Sequence, residues 1–404
     1  MHILLIHQAF VSPKQAGGTR HFEFAQRCLK RGHKFTIVAS NISYIDGKRN
    51  TAGNRLVTHE EAEGVGVSRA FTYAALHKSF IWRVVSFLSF MITSIVAGLR
   101  AKDVDLVMGT SPPIFQAVSA WLLAKLKGKP FLLEIRDLWP EFAIDMGVLK
   151  NPSLIWLSRK LESFLYQKAN HLIVNSPAYK NYLIDKGIPP EKISLVPNGV
   201  DPNMFKPNEK GNGFRKRYQL DGKFVATYAG ALGMANDIQT ILGAADCLKN
   251  NSDIHFLLVG DGKERQHLES RAKVMELNNV TFTGAQPKNS MANILASSDA
   301  CLATLMNIPM FKTTYPNKVF DYMAAGRPTV LAIDGVIRDV IEAAQGGIFV
   351  PPNNPEELAE AVAMLHDDPD RAKEMGQSAR HHVATFFNRN VQAKQFIDLV
   401  ESLY

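Results

Sequence analysis

Apolar residues in this chain fall in short unbroken runs rather than in alternating apolar–polar pairs. In the first half the runs are HILLIH (2–7), KFTIVAS (34–40), VDLVMGT (104–110), PFLLEIR (130–136), HLIVNS (171–176) and ISLVP (193–197). In the second they are FVATYAG (224–230), IHFLLVG (254–260), VTFTG (280–284), ACLATL (300–305), PTVLAI (328–333) and GIFVP (347–351). Stretches of helical spacing separate them. A strand that is apolar at nearly every position has both faces covered, as parallel strands under helices do. The rhythm predicts an α/β chain of two doubly wound, Rossmann-like domains facing across a cleft, with ligands at the carboxyl ends of the strands.

The seam is expected in VPNGVDPNMFKPNEKGNG (196–213), which is rich in Pro, Gly and Asn and poor in apolar periodicity. This gives a first domain over 1–200, a second over 201–387, and a leftover helix over 388–404 that crosses back to the first. One stretch has two readings. Residues 84–99, VVSFLSFMITSIVAGL, are uncharged between Arg83 and Arg100. They fall short of the roughly 20 residues that a membrane span needs. They are read either as a buried crossover helix or as a helix lying in a membrane interface, with Lys78, Trp82 and Arg83 at headgroup level.

Composition narrows the classes. At 404 residues and 46% hydrophobic, the chain can bury two cores. Cys28, Cys247 and Cys301 are isolated, which argues against a disulfide framework or zinc site and for a reducing compartment. The opening MHILLIHQAF lacks a basic leader and a small-residue cleavage site, so it reads as a strand, and the expected location is the cytoplasm. A net charge of +8 favours anionic partners. No nucleic-acid-binding signature accompanies it, so nucleic acid is not expected.

Several loops are suited to phosphate. Gly17 and Gly18 precede a helix that Thr19 is placed to cap. In the second half Gly230 and Gly233 follow one strand, and Gly260 and Gly262 follow the next, with Lys263 and Arg265 just beyond. The most informative stretch is YPNKVFDYMAAGRPTVL (315–331). Pro316 suits the first turn of a helix, leaving the amides of Asn317, Lys318 and Val319 to meet an anion beside the Lys318 charge. Asp321 is expected on the same face, where its carboxylate accepts two hydroxyl hydrogen bonds. Cation and amides for a diphosphate, with a carboxylate for a vicinal diol, fit a ribose diphosphate. An i,i+3 ion pair is the plain structural alternative.

Taken in order, the GG loop, RGHKFTIV, HLIVNSPAYKNYLIDKGIPPEKISLVPNGVD, YAGALG, LLVGDGKER, VTFTGAQP and NKVFDYMAAGRPTVLAIDG resemble the retaining glycosyltransferases of family 4, of GT-B fold, over essentially the whole chain. EIRDLWPE and PNKVFDYMAAGRPTV resemble the bacterial subgroup that builds O-antigen, capsule or related surface polysaccharide, often adding N-acetylated amino sugars. The resemblance implies a nucleotide-diphosphate sugar, UDP-linked, held mainly by the second domain. The donor site is expected at Gly18, Gly230, Gly233, Gly262, Arg265, Tyr315, Pro316, Asn317, Lys318 and Asp321. It implies no cofactor and no metal, because helix ends and cations neutralise the diphosphate. It also implies an acceptor bound mainly by the first domain. The basic surface and the 76–100 segment favour a polyprenyl-diphosphate-linked sugar there, with peripheral contact to the anionic inner membrane, and a soluble small-molecule acceptor is the alternative.

Residue by residue, Asp321 falls where the second glutamate of the family's EX7E element holds the ribose hydroxyls. The first glutamate falls on Thr313, a departure. Ala231 and Asn236 stand where many relatives carry an arginine and a lysine on the diphosphate, which makes Lys318 the candidate for the missing cation. Arg136 and Asp137 occupy the strand end where relatives often place a histidine near the acceptor. Asp137 is expected to orient or deprotonate the acceptor hydroxyl and Arg136 to hold a phosphate, so Asp137, Arg136 and Lys318 form the expected catalytic set. Capping of the following helix is the alternative role for Asp137. Two other activities stay open: a nucleotide-sugar epimerase on the same fold, and a catalytically inactive nucleotide-sugar-binding partner subunit, which Thr313, Ala231 and Asn236 make tenable.

Overall fold

The computed structural model describes every residue except 44–46, 48, 50–54, 76–79 and 206–211. The chain forms two compact units: Met1–Ser12, Thr19–Pro197 and Asn390–Tyr404 in the first, Pro13–Gly18 and Asn198–Arg389 in the second. The 13–18 segment, which carries the GG pair, is thus grouped with the second unit although it lies near the start of the chain.

In the first unit, strands β1 (His2–Ile6), β2 (Lys34–Ser40), β3 (Val57–Ala62), β4 (Val65–Ala70), β5 (Leu106–Ser111), β6 (Phe131–Ile135), β7 (His171–Val174) and β8 (Ile193–Leu195) make one sheet. Its order is β3-β4-β2-β1-β5-β6-β7-β8. In the second unit, β9 (Phe224–Ala229), β10 (Ile254–Val259), β11 (Val280–Gly284), β12 (Ala300–Thr304), β13 (Thr329–Ala332) and β14 (Gly347–Phe349) run in the order β11-β10-β9-β12-β13-β14. Every apolar run named above lands on one of these strands, and all of those pair in parallel. The β3–β4 hairpin is the addition. Its turn uses Glu63 and Gly64 at φ 49° and 84°, the backbone of a tight primed turn. Strand β3 sits at the sheet edge and reads VTHEEA, half exposed, so it offers no continuous apolar run to find.

Each unit has its own core. That of the second is built from Tyr228, Phe256, Leu302 and Val330 among others, and that of the first from Ile3, Phe24, Met108 and Leu132. The terminal helix, Arg389–Ser402, contributes Phe396 and Val400 to the first core, where Phe396 stacks on Phe24 at 4.9 Å.

The first unit's helices begin with α1 (Arg20–Lys30), α2 (Phe80–Arg100), α3 (Ile114–Lys127), α4 (Glu141–Asp145) and α5 (Pro152–Lys168). Thr19 stands at the N-cap of α1, but its hydroxyl donates to Glu23 Oε1 at 2.5 Å rather than capping a backbone amide. Helix α2 is the crossover between β4 and β5. It is long and apolar enough over Trp82–Arg100 to cross a membrane by length and composition, yet only 28% of that window is buried. The buried-helix expectation therefore holds for one side of α2 only. Lys78 lies outside the described residues.

Candidate functional site

Strand order reverses in the second sheet between β9 and β12. At such a switch point the flanking loops part and leave a crevice beyond the carboxyl ends. The loop after β9 is tied to the segment after β12: Thr304 Oγ1 donates to the Asn236 carbonyl at 2.5 Å, and the Met306 amide to the Ala235 carbonyl at 3.0 Å. It is also laced to the loop after β10. The Leu232 amide donates to the Asp261 carbonyl at 2.9 Å, and the Glu264 amide to the Leu232 carbonyl at 3.0 Å. A Cβ on Gly262 would come within 2.4 Å of the Leu232 carbonyl oxygen, and one on Gly260 (φ 147°) within 1.8 Å of the Gly230 carbonyl oxygen. These glycines permit loop to meet loop, a role different from the ligand approach expected of Gly262. At Gly233 a Cβ would meet nothing within 4 Å, so no steric need for glycine exists there.

Lys318 reaches this switch point from the Asn317–Ala324 helix. Its Nζ donates to Tyr228 Oη at 2.7 Å and to Asn236 Oδ1 at 2.9 Å, and lies 4.2 Å from the Tyr228 ring centroid. A Cβ on Gly230 would fall 3.1 Å from the same Nζ. The ammonium thus lies among the residues of the loop after β9. Burial lowers its pKa to about 7. Its hydrogen-bond partners are a hydroxyl and an amide oxygen, neither of which balances a formal charge.

Asp321 follows a different partner. Its carboxylate pairs with Lys288, and both side chains are largely buried. The cation and carboxylate that share a helix face are therefore held by different partners, Lys318 on the β9 side and Asp321 at Lys288. The helix opens at Asn317 with Pro316 at its N-cap, and the Val319 amide already donates to the Pro316 carbonyl at 3.1 Å, so it does not stay open as expected. Gly18 comes beside this helix mouth: a Cβ there would lie 3.8 Å from Asn317 Nδ2. The Thr313 hydroxyl donates to the Met310 carbonyl at 2.5 Å.

Two expected donor residues are engaged elsewhere. Arg265 is held by Asp261 at 3.0 Å and Glu269 at 2.8 Å, one helical turn to either side. Tyr315 packs edge-on against Phe320 and Phe387, its carbonyl accepts from Asn198 Nδ2 at 2.7 Å, and burial pushes its phenol up to about 12.

At the carboxyl edge of the first sheet, the order switches between β1 and β5. Here His7 follows β1, Thr110 ends β5, Arg136 follows β6 and Asn175 follows β7. Both ring nitrogens of His7, Thr110 Oγ1, Arg136 Nε and Asn175 Oδ1 are buried with no hydrogen-bond partner among the described residues. Native proteins leave few such atoms unpaired, so a group of them on neighbouring strands marks a place built to meet something else. His7 is 2% exposed, and its ring stands 4.5 Å from that of His21. Burial, with Arg136 and His21 adding to it, holds the His7 pKa well below the usual range, so the ring is neutral. Asp137 is pushed up to about 6 by burial, against the pull of Arg136. Pro140 stands at the N-cap of α4 without a side-chain cap, which removes the capping role considered for Asp137. Glu141 is occupied, bound by Arg159 through two contacts of 2.8 Å.

Beneath this edge is a charge network that the sequence reading missed. Glu134, fully buried on β6, accepts from Arg20 Nε at 2.8 Å and pairs with His21 Nε2. Arg20 also donates to the Val196 and Pro197 carbonyls, each at 2.7 Å. Burial alone would raise the Glu134 pKa, but His21 and Arg20 hold it far below the carboxylate range. A glutamate inside an otherwise apolar strand is the signal that could have revealed it, since a buried charge needs partners. His7, His21, Tyr228 and Lys288 were missed as well; each is recognisable only by what the fold places beside it.

Residues 17–204 match the family described as Glycosyltransferase Family 4, and residues 223–368 match Glycosyl transferases group 1. WbjE of Pseudomonas aeruginosa is 27% identical over 267 residues, 65% of this chain and 66% of that protein. WcaI of Escherichia coli K12, named for colanic acid biosynthesis, is 24% identical over 341 residues, 82% of this chain and 83% of its own. Among solved structures, HepE of Anabaena in complex with UDP-glucose superposes with a TM-score of 0.76 at 18% identity, covering 100% of both chains.

Proposed function

Because this chain belongs to glycosyltransferase family 4 and has its GT-B architecture, we propose that it moves an N-acetylated hexosyl group from a UDP-linked sugar to a polyprenyl-diphosphate-linked sugar, with retention of configuration, in cytoplasmic steps of bacterial surface polysaccharide synthesis. One observation carries this reading: the Lys318 ammonium stands at the switch point of the second sheet, against Asn236, with no carboxylate among the described residues to neutralise it. A diphosphate supplies the missing negative charge. The name of WcaI supports the choice of pathway class, and the UDP-glucose in the HepE structure supports a UDP-linked donor; the N-acetyl group rests on the subgroup resemblance alone.

In this reading the acceptor oxygen attacks the anomeric carbon from the face that the nucleotide leaves, and a donor phosphate oxygen takes its proton. The protein contributes position and charge. Lys318 stabilises negative charge on the departing diphosphate. Asp321 exchanges Lys288 for the ribose hydroxyls. The buried donors His7 and Arg136 at the first sheet's edge bind the acceptor, with Asp137 beside them to orient its hydroxyl. Metal is not needed when a buried ammonium performs this task, so EDTA should leave the rate unchanged; a rate restored only by added Mg²⁺ or Mn²⁺ would contradict it.

The test uses pure protein and a panel of nucleotide sugars. At a hundredfold excess over Kd, the right donor stabilises the fold by about 2.7 kcal/mol, seen as a raised melting temperature. Incubation with that donor and a polyprenyl-diphosphate sugar should then place the sugar on the lipid. A changed sugar still joined to its nucleotide would mean epimerisation, and failure of every donor to bind would mean an inactive subunit. Asp321→Asn should raise the donor Kd about 10- to 100-fold, the loss of a hydrogen bond to a charged group, by calorimetric titration. An unchanged Kd would remove Asp321 from the ribose site.

A further inference from the structure

Helices α2, α3 and α5 of the first unit form one layer, with α3 packed against both of the others. Their outer surface is unusual for a protein face in water. On α2, Leu88, Ile92 and Leu99 recur at helical spacing and are 38%, 61% and 49% exposed. On α5, Trp156 is 63% exposed and Leu157 57%, with Leu154 and Phe164 also at the surface. Leu126 near the end of α3 is 58% exposed. Scattered apolar residues on a surface are ordinary, but this many large ones exposed on three helices that pack side by side mark an interaction site.

Charge identifies the partner. The three helices carry seven lysines and arginines and a single acidic residue, Glu162, so they hold a net +6 of the chain's +8. Glu162 is fully buried, with Lys186, Tyr166 and Tyr182 as its partners, and presents no negative charge outward. The lysines stand with the aromatic rings: Lys125 by Trp121, Lys160 by Trp156 and Lys168 by Phe164, each at 5.9 Å. Trp121 and Phe164 also meet edge to face at 4.9 Å, joining α3 to α5. Apolar side chains, aromatic rings and long cations without exposed acids match the acyl boundary and headgroup layer of an anionic bilayer.

We propose that the outer face of α2, α3 and α5 is a docking surface for an anionic lipid bilayer, lying in the interface rather than spanning it. This extends the single-helix expectation to a three-helix platform in which α5 is an equal partner. It stands apart from the glycosyl-transfer reading, because vesicle binding is measured without donor or acceptor.

The experiment is co-sedimentation of the full chain with vesicles of phosphatidylcholine containing 30% phosphatidylglycerol, and with phosphatidylcholine alone. Wild type should pellet with the anionic vesicles in 50 mM salt and be released in 0.5 M salt. Trp156→Glu with Leu157→Glu, and separately Lys160→Glu with Lys168→Glu, should each weaken partitioning at least ~10-fold. All four side chains are exposed, so melting curves should match wild type. The proposal is overturned if wild type stays in the supernatant, if it binds both vesicle types equally, or if both double variants pellet as wild type does. It is also overturned if wild type is a dimer in solution that either double variant converts to monomer, which would give the face to a second copy of the chain.

Discussion

Lys318→Ala lowers kcat/KM for the nucleotide sugar at least ~30-fold, the effect of about 2–4 kcal/mol of lost transition-state stabilisation. The size follows from where the ammonium stands. It is held by Tyr228 and Asn236, in a place where burial makes an uncompensated cation costly. An arriving diphosphate relieves that cost and gains charge-assisted contacts whose strength grows as negative charge builds on the leaving group. A drop of under threefold would show that the cation lies elsewhere.

The same lysine sets a pH dependence. Its pKa is lowered to about 7 by burial, and in the proposed reading the charged form is the one that attracts the donor. A bound diphosphate raises that pKa, so donor binding takes up a proton near pH 7–8, and affinity weakens as pH rises through this window. Titrations in buffers of different ionisation enthalpy measure the uptake, and Lys318→Ala should abolish it. Stability without donor runs the opposite way. Between about pH 7 and the unperturbed lysine value near 10, the unfolded chain binds more protons at this site than the folded one, so the Lys318 contribution to stability improves as pH rises.

Glu134→Ala is expected to destabilise the first unit by about 3–5 kcal/mol, because it leaves Arg20 and His21 buried without their carboxylate. A shift in the urea midpoint at constant slope measures it. Glu134→Gln keeps an oxygen for Arg20 and should cost less. The depressed Glu134 pKa fixes the acid limb: its contribution is complete above the unfolded value near 4 and fades as pH falls below it. If Glu134→Ala melts with the wild type, the network is not structural, and its place beneath the sheet edge must be explained by ligand contacts alone.

The architecture was legible because parallel strands under helices must be apolar throughout, and that pattern survives in a single sequence. The β3–β4 hairpin was not, since a half-exposed edge strand need only alternate loosely. At the candidate donor site the composition of YPNKVFDYM pointed to Lys318 and Asp321, but not to their partners. Tyr228 lies 90 residues from Lys318 and Lys288 lies 33 from Asp321, separations at which no local spacing rule applies. The ion pairs of Arg265 were visible in the sequence: Asp261 and Glu269 lie four residues to either side, the helical spacing of such a pair. At the first sheet's edge, Arg136 and Asp137 were found as charged residues ending a strand. His7, at the end of the first run, was equally well placed but hidden by its neutral, apolar surroundings.

The lacing of the two glycine loops after β9 and β10 has an evolutionary corollary. Where carbonyl oxygens already fill the volume of a side chain, drift at Gly260 and Gly262 is closed, and remodelling this floor would require both segments to change together. A solitary substitution is accommodated more readily at Gly233, where a side chain would meet nothing within 4 Å, than in this laced foundation.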